Sequence, residues 1–173
     1  VRRGDVDLAV GPITEIPDEI WYFPLVSYEP VLITPLDHPL AKQGKVSLKD
    51  IAPYSLILPP HTMSTRNYID VVFQQHNFEY TVGMEAGGWE VIKKYVELDL
   101  GISLVTSICL TGKEKLARIP LTEYFPERSY GLILRKGKFI SPATRKFIEL
   151  LNSSALDNFN QGTFNTDLRS NKK

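Results

Sequence analysis

Short apolar runs recur along the chain, each stopped by proline, glycine or a polar cluster. Asp7-Leu8-Ala9-Val10-Gly11-Pro12 reads as a buried strand ending in a turn. Trp21–Val26 and Pro30–Pro35 are further strands, and their prolines suit edge or crossing strands rather than central ones. Val46–Ile51 sets a hydroxyl ahead of a short helical turn, and Ser55–Leu58 is a strand ended by Pro59-Pro60. From Arg66 to His76 the period changes. Ile69, Val72, Phe73 and His76 fall at i, i+3, i+4 and i+7, which predicts an amphipathic helix capped by Ser64 or Thr65. Tyr80–Met84 is a strand. A second helix runs from about Trp89 to Leu98, with Val91, Ile92, Tyr95, Val96 and Leu98 as its apolar face and Gly101 to end it. Ile102–Val105, Leu116–Pro120 and Tyr130–Leu134 are strands. Ser141-Pro142 opens a last helix with Phe147, Ile148 and Leu151 toward the core. From about Ser154 the composition turns polar and predicts a disordered tail. Strands alternating with helices argue an α/β architecture with mainly parallel pairing.

Composition narrows the function classes. The 173 residues suffice for one domain or two small lobes, and 43% apolar content supports a packed core. Twenty basic residues balance twenty acidic ones, so the chain is no electrostatic binder of nucleic acid or of an anionic membrane. No apolar run approaches the roughly 18 residues of a spanning helix. The lone Cys109 excludes an intrachain disulfide and a cysteine-cluster metal site, and His38, His61 and His76 are widely separated. Neither metal nor cofactor is expected. Gly-x-Ser-x-Gly, P-loop and complete Gly-x-Gly-x-x-Gly patterns are all missing, so no enzyme is expected. Val1-Arg2-Arg3-Gly4 lacks an initiator Met and runs at once into a strand, which reads as a fragment.

Several phrases then line up in order. They are Gly4-Asp5-Val6-Asp7-Leu8-Ala9-Val10, Asp37-His38-Pro39-Leu40, Ser47-Leu48-Lys49-Asp50-Ile51, Arg66–Phe73, Val91–Leu98, Leu100-Gly101-Ile102-Ser103-Leu104 and Ser141–Ile148. Their order and spacing over residues 1 to about 152 resemble the effector-binding domain of LysR-type transcriptional regulators. Val91-Ile92-Lys93-Lys94-Tyr95-Val96, with Arg66 and Asp70, looks closest to the CysB branch, regulators of sulfur assimilation. The resemblance implies a type-2 periplasmic-binding-protein-like fold. Two Rossmann-like α/β lobes are joined by crossing strands near Ser27–Thr34 and Ser129–Arg135, with a small effector between them. It assigns residues 1–28 and 131–152 to a lobe I lacking the family's first strand and helix. Residues 29–130 form lobe II, and 153–173 the tail.

The implied partners are a small anionic or amino-acid-like effector, further copies of the chain as a dimer or tetramer, and DNA. DNA would be reached only through an N-terminal winged helix-turn-helix outside this chain. No membrane partner is implied, and the location is cytoplasmic. The Arg66–His76 and Pro142–Leu151 helices are candidate oligomer contacts. A solute-binding protein of a transport system shares the fold and is the alternative. Asp99 stands where the family usually has Gly, and Pro12 where CysB-like chains offer a hydroxyl.

The candidate effector residues are Gly11, Pro12, Ile13, Thr62, Ser64, Thr65, Arg66, Trp89 and Thr106. At Thr62-Met63-Ser64-Thr65-Arg66 a helix start offers free N–H groups, hydroxyl donors and a cation, which suits a carboxylate, a sulfate or another small anion. The CysB resemblance places a sulfate-binding hydroxyl at Ser64. The same residues allow a plain cap with Arg66 in solvent. Gly11, Pro12 and Ile13 follow the first strand and either face the cleft or make a simple turn. Trp89, after Gly87-Gly88, either walls the pocket or acts as a hydrophobic staple. Thr106 and Ser107 follow a strand and add hydroxyls. Glu85 either meets an effector amine or is a solvated charge. His61 reads as a pH-sensitive contact or a plain loop residue. Cys109 reads as a small buried hydrophobe, and Lys113-Glu114-Lys115 as a solvated turn.

Overall fold

The computed structural model describes residues 1, 3–13 and 15–160. In chain order the elements are β1 (Leu8–Pro12), β2 (Ile20–Tyr28), β3 (Pro30–Pro35), α1 (Leu48–Ile51), β4 (Ser55–Leu58), α2 (Ser64–Gln75), β5 (Thr81–Glu85), α3 (Trp89–Glu97), β6 (Ser103–Thr106), β7 (Leu116–Pro120), β8 (Arg128–Arg135), α4 (Pro142–Leu151) and α5 (Ala155–Asn160). The chain divides into two compact units. One comprises Val1–Ser27 and the chain from Ser129 onward; the other is Tyr28–Arg128. The backbone passes between them at the end of β2 and at the start of β8.

In the first unit the strand order is β1-β8-β2. β1 runs antiparallel to β8, from Leu8 opposite Leu134 to Pro12 opposite Tyr130. Gly131 lets β8 lie close to β2, because a Cβ there would sit 2.2 Å from the Phe23 carbonyl oxygen. Trp21, Leu132, Leu134 and Ile148 form the core, and Ala155 and Leu156 of α5 close it. The expected disordered tail is therefore corrected for residues 155–160: Phe159 meets Trp21 edge-on at 5.1 Å, one helical turn after Ala155. Residues 161–173 of the expected tail lie outside the described residues. Ser141 caps α4 through its hydroxyl, which accepts from the Thr144 N–H at 3.2 Å, with Pro142 in the first turn. Its buried face is Thr144 and Ile148, while Phe147 and Leu151 are exposed.

The second unit holds one five-stranded sheet, β5-β4-β6-β3-β7. Its two strand groups are joined where the Ile57 N–H donates to the Ile102 carbonyl at 2.8 Å and the Ile102 N–H to that of Ser55 at 3.1 Å. β4 and β5 are parallel, and the β4–β6 bridge is parallel too. β3 is antiparallel to both neighbours. The helical crossovers α2 and α3 return the chain for parallel pairing; β3 instead enters from the other unit in the opposite direction. Mainly parallel pairing is thus corrected: β3 is reversed against its neighbours, and β1 against β8. Of the edge and crossing positions predicted for Pro30–Pro35, the edge one is corrected: β3 follows the crossover between the units at Ser27 and Tyr28. β3 is central and fully buried, with its prolines confined to its two ends.

α2 and α3 end in the same device. Asn77 and Asp99 take positive φ, 56° and 59°. The Phe78 N–H then bonds the Phe73 carbonyl, and the Leu100 N–H that of Tyr95, each the outer bond of a Schellman motif. Asp99, rather than Gly101, ends α3. It supplies the left-handed conformation that Gly most often supplies at the end of a helix. On the predicted helix faces, His76, Val91 and Leu98 are exposed. Buried Lys93 joins Ile92 and Val96 instead, its ammonium held 2.7 Å from Glu90 and 2.8 Å from Glu114. Lys113-Glu114-Lys115 is therefore no plain solvated turn. Glu114 accepts from Lys93 and from the Thr111 and Gly112 N–H groups, which hold its carboxyl far below the usual carboxylate range.

Candidate functional site at the start of α2

Residue Met63 occupies the N-cap position of α2 with extended backbone and no side-chain cap bond. The N–H groups of Arg66 and Asn67 both turn back to the Met63 carbonyl. Those of Ser64 and Thr65 belong to the unsatisfied first turn. The expected hydroxyl cap is corrected. The Ser64 and Thr65 side chains accept from a residue 64 and 63 positions away: Arg128 donates from Nη2 to Ser64 Oγ at 2.8 Å and from Nη1 to Thr65 Oγ1 at 2.7 Å. The hydroxyl hydrogens of both remain to donate elsewhere.

Arg128 is 9% exposed. Its guanidinium carbon lies 5.6 Å from the centre of the Tyr68 ring, and Tyr68 is anchored by its hydroxyl on the Pro126 carbonyl at 2.9 Å. Burial pushes the Tyr68 phenol up to about 12, with the Arg128 charge opposing. The partners of Arg128 among the described residues are two hydroxyls and an aromatic ring, all neutral. Thr106 is buried at the end of β6 and lines a small cavity with Thr65, Arg128, Tyr68, Pro30 and Phe125. The cavity measures about 10 Å³, room for about one water. A larger ligand would therefore meet the outer side of this cluster, where Ser64 is exposed.

Arg66 is buried as well, at 4% exposure, and its donors are committed. Nε donates to Asp70 at 2.9 Å and to Tyr80 at 3.2 Å, and Nη1 to Glu85 at 3.1 Å and to the Pro59 carbonyl at 3.3 Å. Nη2 lies 3.1 Å from His61 Nε2. Tyr80 also donates to Asp70. Burial pushes Asp70 up, but bonds from Tyr80 and Arg66 outweigh it and hold the carboxyl below its ordinary range. Burial and the bond to Asp70 push Tyr80 up to about 12.

The structure thus brings Ser64, Thr65 and Thr106 around Arg128, and places Arg66 beside them in a separate, acid-rich cluster. Thr62 is exposed on the preceding loop. Trp89 begins α3 and packs against the apolar cluster of Val31, Ile33 and Ile57. Gly11 and Pro12 belong to the other unit, paired with Gly131 and Tyr130, so the predicted turn begins only after Pro12. Ile13 follows them, half-buried. Cys109 is half-buried and burial pushes its thiol up, the setting of an unreactive thiol. Arg128 and Tyr68 were beyond sequence reasoning. Arg128 stands in Pro126-Glu127-Arg128-Ser129 with no local pattern tying it to α2.

Two α/β units, with the chain passing between them at the end of β2 and the start of β8, are the architecture of the periplasmic-binding-protein type. The chain belongs to the LysR substrate binding domain family, which it matches over residues 1–155. It is 30% identical over 154 residues to the HTH-type transcriptional regulator SsuR of Burkholderia cenocepacia, covering 87% of this chain and 50% of that protein. With the transcriptional regulator CysB of the same organism it shares 27% over 151 residues, covering 86% and 48%. The chain thus spans about half the length of these curated relatives. Among solved structures, the effector binding domain of QuiR in complex with shikimate superposes with a TM-score of 0.78 at 27% identity, covering 91% of this chain and 76% of that one. The two-lobed fold and the regulator family implied by the sequence phrases are thereby shown. The transporter alternative has no support among these relatives, which are transcriptional regulators.

Proposed function

We propose that this chain is the ligand-sensing part of a LysR-type transcriptional regulator and takes a small anion at the start of α2. The observation that carries this reading is Arg128, a buried cation whose partners among the described residues are all neutral. Burying a charge without a counter-charge is costly, and an anionic ligand supplies one. The hydroxyls of Ser64 and Thr65, their free backbone N–H groups and the guanidinium are all donors, so the point suits a carboxylate or a sulfate. The QuiR domain holds shikimate, a carboxylate, and the CysB-branch wording makes sulfate a second probe. Thr106 and Thr62 are further contacts from this unit, with Trp89 as a wall.

Arg128 begins β8, which continues into the other unit. A ligand engaging the guanidinium therefore acts directly on that connection. Signalling then follows from its different affinity for two conformations. The parent regulator works in the cytoplasm as a homo-oligomer, reaching DNA through residues outside this chain. The exposed edge strand β5 and exposed Val71 on α2 offer a surface for pairing. Regulation, not catalysis, is assigned. No helix among the described residues is long and apolar enough to cross a membrane.

Calorimetric titration with sulfate, shikimate and acetylserine tests the site. Binding of at least one anion is expected, weakened about tenfold or more in Arg128→Met, since a charge-assisted hydrogen bond contributes about 1.5–3 kcal/mol. Equal affinity in wild type and variant would remove Arg128 from the site.

A further inference from the structure

The Arg66 cluster contains one group that the anion reading leaves unused. His61 sits on the loop between β4 and α2, three residues before Ser64. Its Nε2 lies 3.1 Å from Arg66 Nη2 and its Nδ1 3.4 Å from Asp70 Oδ2. A guanidinium nitrogen only donates, so Nε2 must carry the lone pair in this arrangement. The ring is then neutral, with its proton on Nδ1 toward Asp70. Glu85 Oε1 is 3.7 Å from Nε2 and already accepts from Arg66. The charged and titratable groups facing the ring are Arg66 and Asp70 from α2, Tyr80 just ahead of β5 and Glu85 at its end.

We propose that His61 is a proton-operated latch on the loop that leads into α2. In the neutral ring Nε2 accepts from Arg66, and the loop is fastened to the helix. A proton on Nε2 sets donor against donor and cation against cation, and that contact is lost. The imidazolium then competes with Arg66 for Glu85 and Asp70. Pro59, whose carbonyl also accepts from Arg66, is on the same loop, so the rearrangement reaches both of its ends. Thr62, Ser64 and Thr65 move with it. The latch bears on anion affinity only through the reading given above. Its sign is that acidification loosens the loop carrying the anion donors.

Two-dimensional amide NMR of the 173-residue chain tests this without any ligand. The spectrum is followed from about pH 8 down to about pH 5, the range in which histidines titrate. Amide signals of Thr62, Ser64 and Thr65 are expected to shift together, with the midpoint of the His61 ring signal. In His61→Gln, whose amide can still accept from Arg66, they are expected to stay flat. His61 is two-thirds exposed, so this variant keeps its fold. Flat signals in the wild type, or shifts that persist in His61→Gln, would overturn the latch. Failure of the anion reading is seen in the Arg128→Met titration and leaves this result standing.

Discussion

Arg66 and Arg128 are both buried arginines within reach of the first turn of α2, and their surroundings are opposite. Arg66 is enclosed by Asp70, Glu85 and the Tyr80 hydroxyl. Arg128 meets two neutral hydroxyls and a ring. A guanidinium with two carboxylates has its charge offset inside the fold and serves to join elements, here the loop after β4, α2 and the end of β5. A guanidinium without one has no such offset among the described residues. Lys93, held between Glu90 and Glu114, is a third buried cation and belongs with Arg66. The separation gives a working rule: a buried cation points to a ligand when its own fold supplies no acid.

The largest contrast should come from stability. Arg66→Met strands two carboxylates and is expected to lower unfolding free energy by about 3 kcal/mol, the low end for a broken buried pair because Asp70 and Glu85 are partly exposed. Arg128→Met strands no charge and removes an uncompensated buried one, which offsets the lost hydrogen bonds, so it is expected to change it by less than about 1 kcal/mol. Urea denaturation of both variants measures the difference, and equal losses would break the comparison. Next in size is acid sensitivity. Burial raises the Asp70 carboxyl but the bonds from Tyr80 and Arg66 win, so its folded value lies below its unfolded one. The stabilisation is therefore present above about pH 4 and lost as pH falls through the folded value. The stability gap between wild type and Asp70→Asn should shrink as pH falls below about 4. Arg128→Met should leave that slope unchanged. The smallest effect is expected at Asp99→Gly, where relief of a left-handed side-chain residue should raise stability by up to about 1 kcal/mol, read as a small rise in Tm. It touches neither arginine and serves as a control for global effects.

Most elements of the fold were legible because they rest on local periodicity and punctuation. Ser141-Pro142 began a helix as read, and the Ile69–Val72–Phe73 stripe faced the core. What was not legible depends on partners distant in sequence. Arg66 reads as a free cation until Glu85 and Tyr80 are folded against it. Ser64 and Thr65 read as caps until Arg128 arrives from the far end of the unit. Lys93 looks solvent-facing on a helix wheel, since its acid partner Glu114 lies 21 residues on. β3 was misplaced because its prolines suggested an edge, whereas they only frame a central strand. The polar composition after Ser154 concealed Ala155, Leu156 and Phe159, which are enough to dock one short helix.

The reversed central strand β3 also sets the order in which the chain completes itself during synthesis. β3 pairs through Val31 with Val105 of β6 and with Pro120 of β7, and β1 pairs through Leu8 with Leu134 of β8. At about 5–20 residues per second on a ribosome, a mostly apolar β3 waits several seconds for its partners. β1, made first, waits longest. The inner unit closes when β7 emerges, and the outer unit follows only with β8 and α4. Folding proceeds from the middle of the chain outward, so a protease sampling nascent chains would find Tyr28–Arg128 protected before the segments that flank it.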